Sequence, residues 1–333
     1  MKVAKKQGVF RPAWWATNAH VQTISPVFLP FEVPQYTRER WDTPDGDFVD
    51  MDWVNLNLAH RPKQKILVLF HGLEGSSSSS YAKALMHMAL TKGWTGVVMH
   101  WRSCSGEINR QKVMYHSGFS WEIDWVVKRI AGRFPESERY LAGVSLGGSA
   151  MLKWLGENGI QAEKYVTACA SICAPHDLKA GAAALKSGFN QRVYMRNFLG
   201  TIQKKALLKI EQFPELPITS ESIHTARNFY ELDNAFTAPL HGFRDAQDYW
   251  SKASSKQFMP GIAVPTMVLN TANDPFVPAS SLAKKSEISA KVHLRYTENG
   301  GHVGFVTARQ IGDEMRHFSW MPAQVFKHFE SLS

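Results

Sequence analysis

The chain has 333 residues, 44% of them hydrophobic, enough for a large core in one catalytic body that carries an insertion. The formal charge is +9, but the basic residues are scattered. The densest runs (Lys2, Lys5, Lys6 and Lys204, Lys205, Lys209) form no nucleic-acid module, so no nucleic-acid partner is expected.

The opening MKVAKKQGVF is basic but has no apolar stretch behind it, so it does not read as a secretory signal. Runs such as Ile66–Phe70 fall far short of the ~20 apolar residues that span a bilayer. Three cysteines, Cys104, Cys169 and Cys173, make no disulfide framework and fit reduced thiols. Cys169 and Cys173 sit four apart without further ligands, so no metal site is expected. The expectation is a cytoplasmic protein that touches a membrane peripherally at most.

Residues 1–35 hold four prolines and the aromatics Phe10, Trp14, Trp15, Phe28 and Phe31. That composition predicts an ordered arm packed on the body, not a disordered tail. Thr37–Thr43 and Phe48–Val54 flank Pro44-Asp45-Gly46, a turn signal, and read as a hairpin whose second arm is only partly alternating.

Strands and helices then alternate. Ile66–Phe70 reads as a strand covered on both faces. Residues 81–92 read as a helix, with one serine of Ser76–Ser80 as its N-cap. Thr95–His100 reads as a strand, Trp121–Phe134 as a helix, Tyr140–Val144 as a strand and Leu146–Glu157 as a helix. Tyr165–Cys173 is the next strand. From Asp177 to Trp250 no strand pattern appears, and the stretch reads as a helical cap insertion over the sheet edge, residues 177–250. Alternation resumes with a strand at Thr266–Thr271, a helix near Ser280–Ile288, a strand at Val292–Tyr296 and a helix at Met321–Leu332. Residues 36–176 and 251–333 together make the α/β catalytic domain, a mostly parallel sheet with helices on both faces.

Gly143-Val144-Ser145-Leu146-Gly147 is a G-x-S-x-G sequence between a predicted strand and a predicted helix. That strand–turn–helix context is what a nucleophile elbow requires, and it makes Ser145 the candidate nucleophile. A serine hydroxyl needs a base. His302, in Gly300-Gly301-His302-Val303-Gly304 after the strand Val292–Tyr296, is the best placed of thirteen histidines. Asp274, at the carboxyl end of Thr266–Thr271, is the candidate acid that orients it. Asp245 and Asp248 are its rivals. The oxyanion hole is expected from the backbone N–H groups of Leu146 and of Leu73, in His71-Gly72-Leu73-Glu74-Gly75, with His71 bracing that loop. Cys104 lacks a second base and reads as a loop or core residue.

These motifs, together with Asn18-Ala19-His20-Val21-Gln22-Thr23, Asp45-Gly46-Asp47-Phe48, Arg102 with Cys104-Ser105-Gly106, and Tyr115-His116-Ser117-Gly118, resemble the YheT-type branch of the α/β-hydrolases over nearly the whole chain. The resemblance implies an α/β-hydrolase fold and the triad Ser145, Asp274 and His302. It also implies carboxylesterase or monoacylglycerol-lipase activity on acyl esters. The two-step acyl transfer expected of such a triad needs no metal or organic cofactor. The chain departs from the branch at Ser103, where glycine is expected, and at Phe119–Ile123, both placed on the substrate side. An acyl pocket is expected under the insertion. Phe198, Leu199, Phe229, Tyr230 and Phe236 either line it or form the insertion's own core. Two other readings share or discard the same triad: an acyltransferase or thioesterase, and a non-catalytic binding protein on this fold.

Overall fold

The computed structural model describes residues 9–307, 310–311, 314–315 and 320–332. Lys2, Lys5 and Lys6, and the first part of the predicted arm, lie outside the described residues.

Eight strands make the main sheet: β1 (Thr37–Asp42), β2 (Phe48–Val54), β3 (Lys65–Phe70), β4 (Thr95–His100), β5 (Glu138–Val144), β6 (Ala168–Ile172), β7 (Thr266–Thr271) and β8 (Val292–Thr297). Their order is β1-β2-β4-β3-β5-β6-β7-β8. Within this sheet only β1–β2 and β2–β4 pair antiparallel. The chain lays β4 on one side of β3 and β5 on the other, so the crevice that ligands favour opens at the carboxyl ends of β3 and β5.

The short apolar strands are buried on both faces. In β3, Ile66, Val68 and Phe70 enter one core with α3 (Ser120–Arg133) and α4 (Leu146–Asn158). Leu67 and Leu69 enter the other, with α2 (Ser80–Thr91) and the final helix Trp320–Glu330. All seven residues of β2 are buried, so no face of it alternates toward solvent. The buried acids explain this: Asp50 and Asp52 pair directly with Arg40 and Arg38 across the hairpin register. Ser79 does stand at the N-cap of α2, but its side chain caps no helix N–H and accepts from Ser76 N–H instead.

Three sequence expectations shift. The strand expected at Tyr165–Cys173 shrinks to β6, because Tyr165 closes a 3-10 turn and Cys173 turns to φ +49°. No α-helix forms near Ser280–Ile288. Two 3-10 turns, Ala279–Ser281 and Lys285–Glu287, flank an extended Leu282, and Ala283 is tied by its N–H to His176 Nδ1 and by its carbonyl to the Tyr296 hydroxyl. Ser103 and Phe119–Ile123 are not at the cavity beside Ser145. Ser103 sits at φ +65°, a backbone that suits glycine, and Glu122 is buried against Arg102.

Between β6 and β7 the described chain is helical, without a strand. It contains α5 (Leu178–Ala184), α6 (Arg196–Gln212), α7 (Ser220–Thr225) and α8 (Ala246–Ala253), with π-helical turns at Gln191–Met195 and Asp233–Thr237. These helices bury their own cluster, including Met195, Leu199, Ala206, Ile223, Leu232 and Phe236.

Candidate active site

Four chain segments meet at the carboxyl edge of the sheet. Val144 ends β5 and Leu146 opens α4, and Ser145 between them takes φ +51°, ψ −118°. Such a backbone costs about 1–3 kcal/mol in a non-glycine residue. It is held by tight neighbours: Ser145 N–H donates to Ile172 C=O at 2.8 Å, and a Cβ on Gly147 would stand 2.3 Å from the Phe70 carbonyl oxygen. The sharp turn therefore exists because β3 and α4 cross closely there, and it pushes the serine hydroxyl out over the sheet.

Asp274 follows β7 and His302 follows the adjacent β8. The Asp274 carboxylate is buried. One oxygen accepts from the N–H groups of Phe276 (2.7 Å) and Val277 (3.2 Å). The other accepts from His302 Nδ1 at 2.8 Å. His302 Nε2 lies 2.9 Å from Ser145 Oγ. With Nδ1–H turned to the carboxylate, Nε2 keeps its lone pair for the serine hydroxyl. The Phe276 ring stacks on the imidazole at 4.2 Å and fixes its plane. The rivals do not come near. Asp245 caps α8 and pairs with Arg244, and Asp248 pairs with Lys252.

The loop after β3 lies beside Ser145 because Phe70 pairs with Gly143. Leu73 and Leu146 both border the cavity at Ser145, and among the described residues neither N–H has a protein acceptor. His71 is fully buried behind the loop. Its Nδ1–H donates to Gly72 C=O (2.7 Å), and its Nε2 accepts from Trp101 N–H (3.1 Å). Burial lowers its pKa to about 3, which keeps this bracing imidazole neutral.

The cavity runs from Ser145 and His302 under the helices between β6 and β7 and encloses about 1060 Å³ of empty space, its mouth included. Phe198, Phe229 and Phe236 line it. Leu199 does not; it packs in the helices' own cluster. Tyr230 is 44% exposed and packs on Trp250. Cys104 lies outside the cavity's lining, and burial pushes its thiol up to about 11. Among the described residues no group of three or more metal-ligating side chains gathers, and no helix is long and apolar enough to cross a membrane.

Residues 65–308 match the family model described as alpha/beta hydrolase fold. YheT of Escherichia coli strain K12 is 35% identical over 329 residues, spanning 97% of this chain and 95% of that protein. The chain belongs to the α/β-hydrolase family, on its YheT-type branch. Phospholipase ABHD3 of Mus musculus is 27% identical over 326 residues, covering 96% of this chain and 77% of its own. Monoacylglycerol lipase of Saccharomyces cerevisiae is 29% identical over 258 residues, 73% of this chain and 55% of its own. Among solved structures, the Pyrococcus furiosus esterase Pf2001 superposes with a TM-score of 0.55 at 15% identity, covering 92% of this chain and 94% of its own, a likeness of fold.

This α/β-hydrolase site also holds residues that the sequence reading did not assign to it. The helix α1 (Ala19–Ile24) of the N-terminal arm grips the His302 loop. Thr23 Oγ accepts from His302 N–H at 2.9 Å. Gln22 is fully buried; its amide donates to the carbonyls of Ala16 (2.6 Å) and Val306 (3.0 Å) and accepts from Val306 N–H (2.6 Å). The fit is close enough that a Cβ on Gly304 would stand 2.0 Å from the Gln22 carbonyl oxygen. The signal was present as the polar Gln22-Thr23 pair in an aromatic arm, but its partner is 284 residues away.

Proposed function

We propose that the protein is a serine hydrolase that cleaves carboxylic esters through an acyl-enzyme on Ser145. The observation that carries this reading is the continuous relay from Ser145 Oγ to His302 Nε2 (2.9 Å) and from His302 Nδ1 to Asp274 Oδ2 (2.8 Å). His302 takes the serine proton as Oγ attacks the ester carbonyl, and the N–H groups of Leu73 and Leu146 receive the oxyanion. His302 then protonates the leaving alkoxide. Water enters, gives its proton to the same imidazole and releases the acid. Asp274 holds the ring in the required tautomer and stabilises the imidazolium.

The largely apolar cavity favours an acyl chain as its occupant, and relatives named phospholipase and monoacylglycerol lipase point the same way. Short- to medium-chain acyl esters or monoacylglycerol-like lipids are the substrate class. In this reading residues 177–250 are a cap over a catalytic body of residues 36–176 and 251–333. A fluorophosphonate probe tests the nucleophile. Stoichiometric labelling of the protein and none of Ser145→Ala is the expected result; labelling that survives the substitution sends the nucleophile elsewhere. A panel of esters of rising acyl length then sizes the cavity.

A further inference from the structure

Leu73, the proposed oxyanion donor of the β3 loop, is followed by Glu74, a non-glycine residue at φ +56°. That backbone is strained, and something must hold it. Two contacts do. The Tyr115 hydroxyl accepts from Glu74 N–H at 2.9 Å and donates to Glu74 Oε1 at 2.8 Å. Lys205 of α6 donates to Oε1 at 2.8 Å and lies 2.7 Å from Oε2. Cys104 Sγ stands 3.5 Å from the same ammonium and closes the cluster from its far side. Glu74 thus ties three elements together: the loop that carries Leu73, the segment of Tyr115, and a helix of the stretch between β6 and β7. The carboxylate and the ammonium are both mostly buried (11% and 20% exposed), so the pair is shielded from screening.

We infer that Glu74, clamped between Tyr115 and Lys205, is a positioning residue that sets the Leu73 N–H for the oxyanion and couples its placement to the seating of α6. The inference rests on the triad reading proposed above. The Leu73–Glu74 peptide is anchored at Glu74, so a shift there moves the Leu73 Cα and, through it, the Gly72–Leu73 peptide that carries the Leu73 N–H. Removing either charge loosens that anchor, leaving the Tyr115 hydroxyl to hold it alone, without touching Ser145, His302 or the acyl pocket wall beyond Glu74. The oxyanion exists only after attack, so the loss belongs to the transition state and not to ground-state binding.

The experiment compares Glu74→Gln, Lys205→Met and Lys205→Arg with the parent protein on one activated ester, alongside a trifluoromethyl ketone of the same acyl length. The ketone adds to the serine hydroxyl and places an oxyanion. Expected are a fall in kcat of about 10- to 100-fold for Glu74→Gln and Lys205→Met, with KM within about threefold. Ketone affinity falls in step with kcat, and Lys205→Arg recovers most of both. A role confined to stability lowers Tm but leaves both kcat and ketone affinity, counted per folded molecule, at the parent values, and that result overturns the inference. So does a kcat within about twofold of the parent for both neutral variants. If Glu74→Gln fails to fold, Lys205→Met decides alone. A parent protein that hydrolyses no ester and takes no fluorophosphonate sinks the triad reading instead, so the two failures are distinguishable.

Discussion

The two loops that meet at Ser145 are held by different physics. The His302 loop is held by shape and by neutral hydrogen bonds: the Gln22 amide and the Thr23 hydroxyl reach it, and Gly304 packs where no side chain fits. The Leu73 loop has neutral braces too, from His71 and Tyr115, but it alone adds an ion pair, Glu74 with Lys205, against a helix of a different part of the chain. Packing of the first kind has few ways to give, since interiors are close-packed and buried amides must stay paired. An ion pair on a separate helix can loosen when that helix shifts. The proposed base is thus built into the body, while the proposed oxyanion loop is tied to the helices above it.

The largest effect that sharpens this comparison comes from the built-in side. Asp274→Asn keeps the shape of the acid but favours the wrong imidazole tautomer, and kcat should fall by about 10⁴ with the fold intact. Steady-state kinetics with a thermal melt checks both halves. Asp245→Asn and Asp248→Asn, whose carboxylates serve a helix cap and surface pairs, should leave kcat near the parent value. Near-normal activity in Asp274→Asn would move the acid role away from this residue.

Gln22→Leu comes next. It leaves the N–H of Val306 and the carbonyl of Ala16 without their Gln22 partners, each worth about 1–3 kcal/mol, while the Val306 carbonyl keeps the Ala13 N–H. Denaturant melts should show a loss of about 2–4 kcal/mol, and kcat should drop because the His302 loop loosens. A variant that melts like the parent and turns over normally would show that the arm only covers the loop. Together with the Glu74 and Lys205 variants, this substitution separates loosening the base from loosening the oxyanion donor.

How legible these features were in the sequence follows from the range of the interactions behind them. The central strands were readable because short runs such as Ile66–Phe70 are apolar on both faces, a local property. The elbow was readable because strand, glycines, serine and helix are contiguous. Asp274 and His302 were readable because this fold places them at the ends of successive strands. The helix expected near Ser280–Ile288 failed because distant partners, His176 and Tyr296, hold Ala283 extended. Tyr230 and Leu199 differ from Phe229 and Phe236 only in which way a helical face turns, and π-helical turns on either side upset the periodicity that would have told them apart. The arm's grip on residues 301–306 and the clamp on Glu74 join segments at least 41 residues apart, and no local pattern encodes them.

The smallest effect is a pH dependence seated in a third charge cluster, behind the hairpin. Arg102 is fully buried among Asp45, Asp47 and Glu122. Arg102 Nε donates to Glu122 Oε1 at 2.7 Å, while among the described residues Glu122 Oε2 is buried without a partner. Burial raises its carboxyl from 4.5 to about 7, against the pull of Arg102. The folded protein therefore holds a proton that the unfolded chain has already released above 4.5. Stability from this group is fully present below that value and is lost as the pH climbs through about 7. Urea midpoints taken at pH 5 and pH 8 should fall with rising pH in the parent. In Glu122→Gln, which stays neutral and keeps an oxygen for Arg102, the fall should be smaller by about 1–3 kcal/mol. Parallel curves for the two proteins would mean that Glu122 is ionised throughout, with Arg102 outweighing burial, and that this cluster is held by charge in the same way as the Leu73 loop.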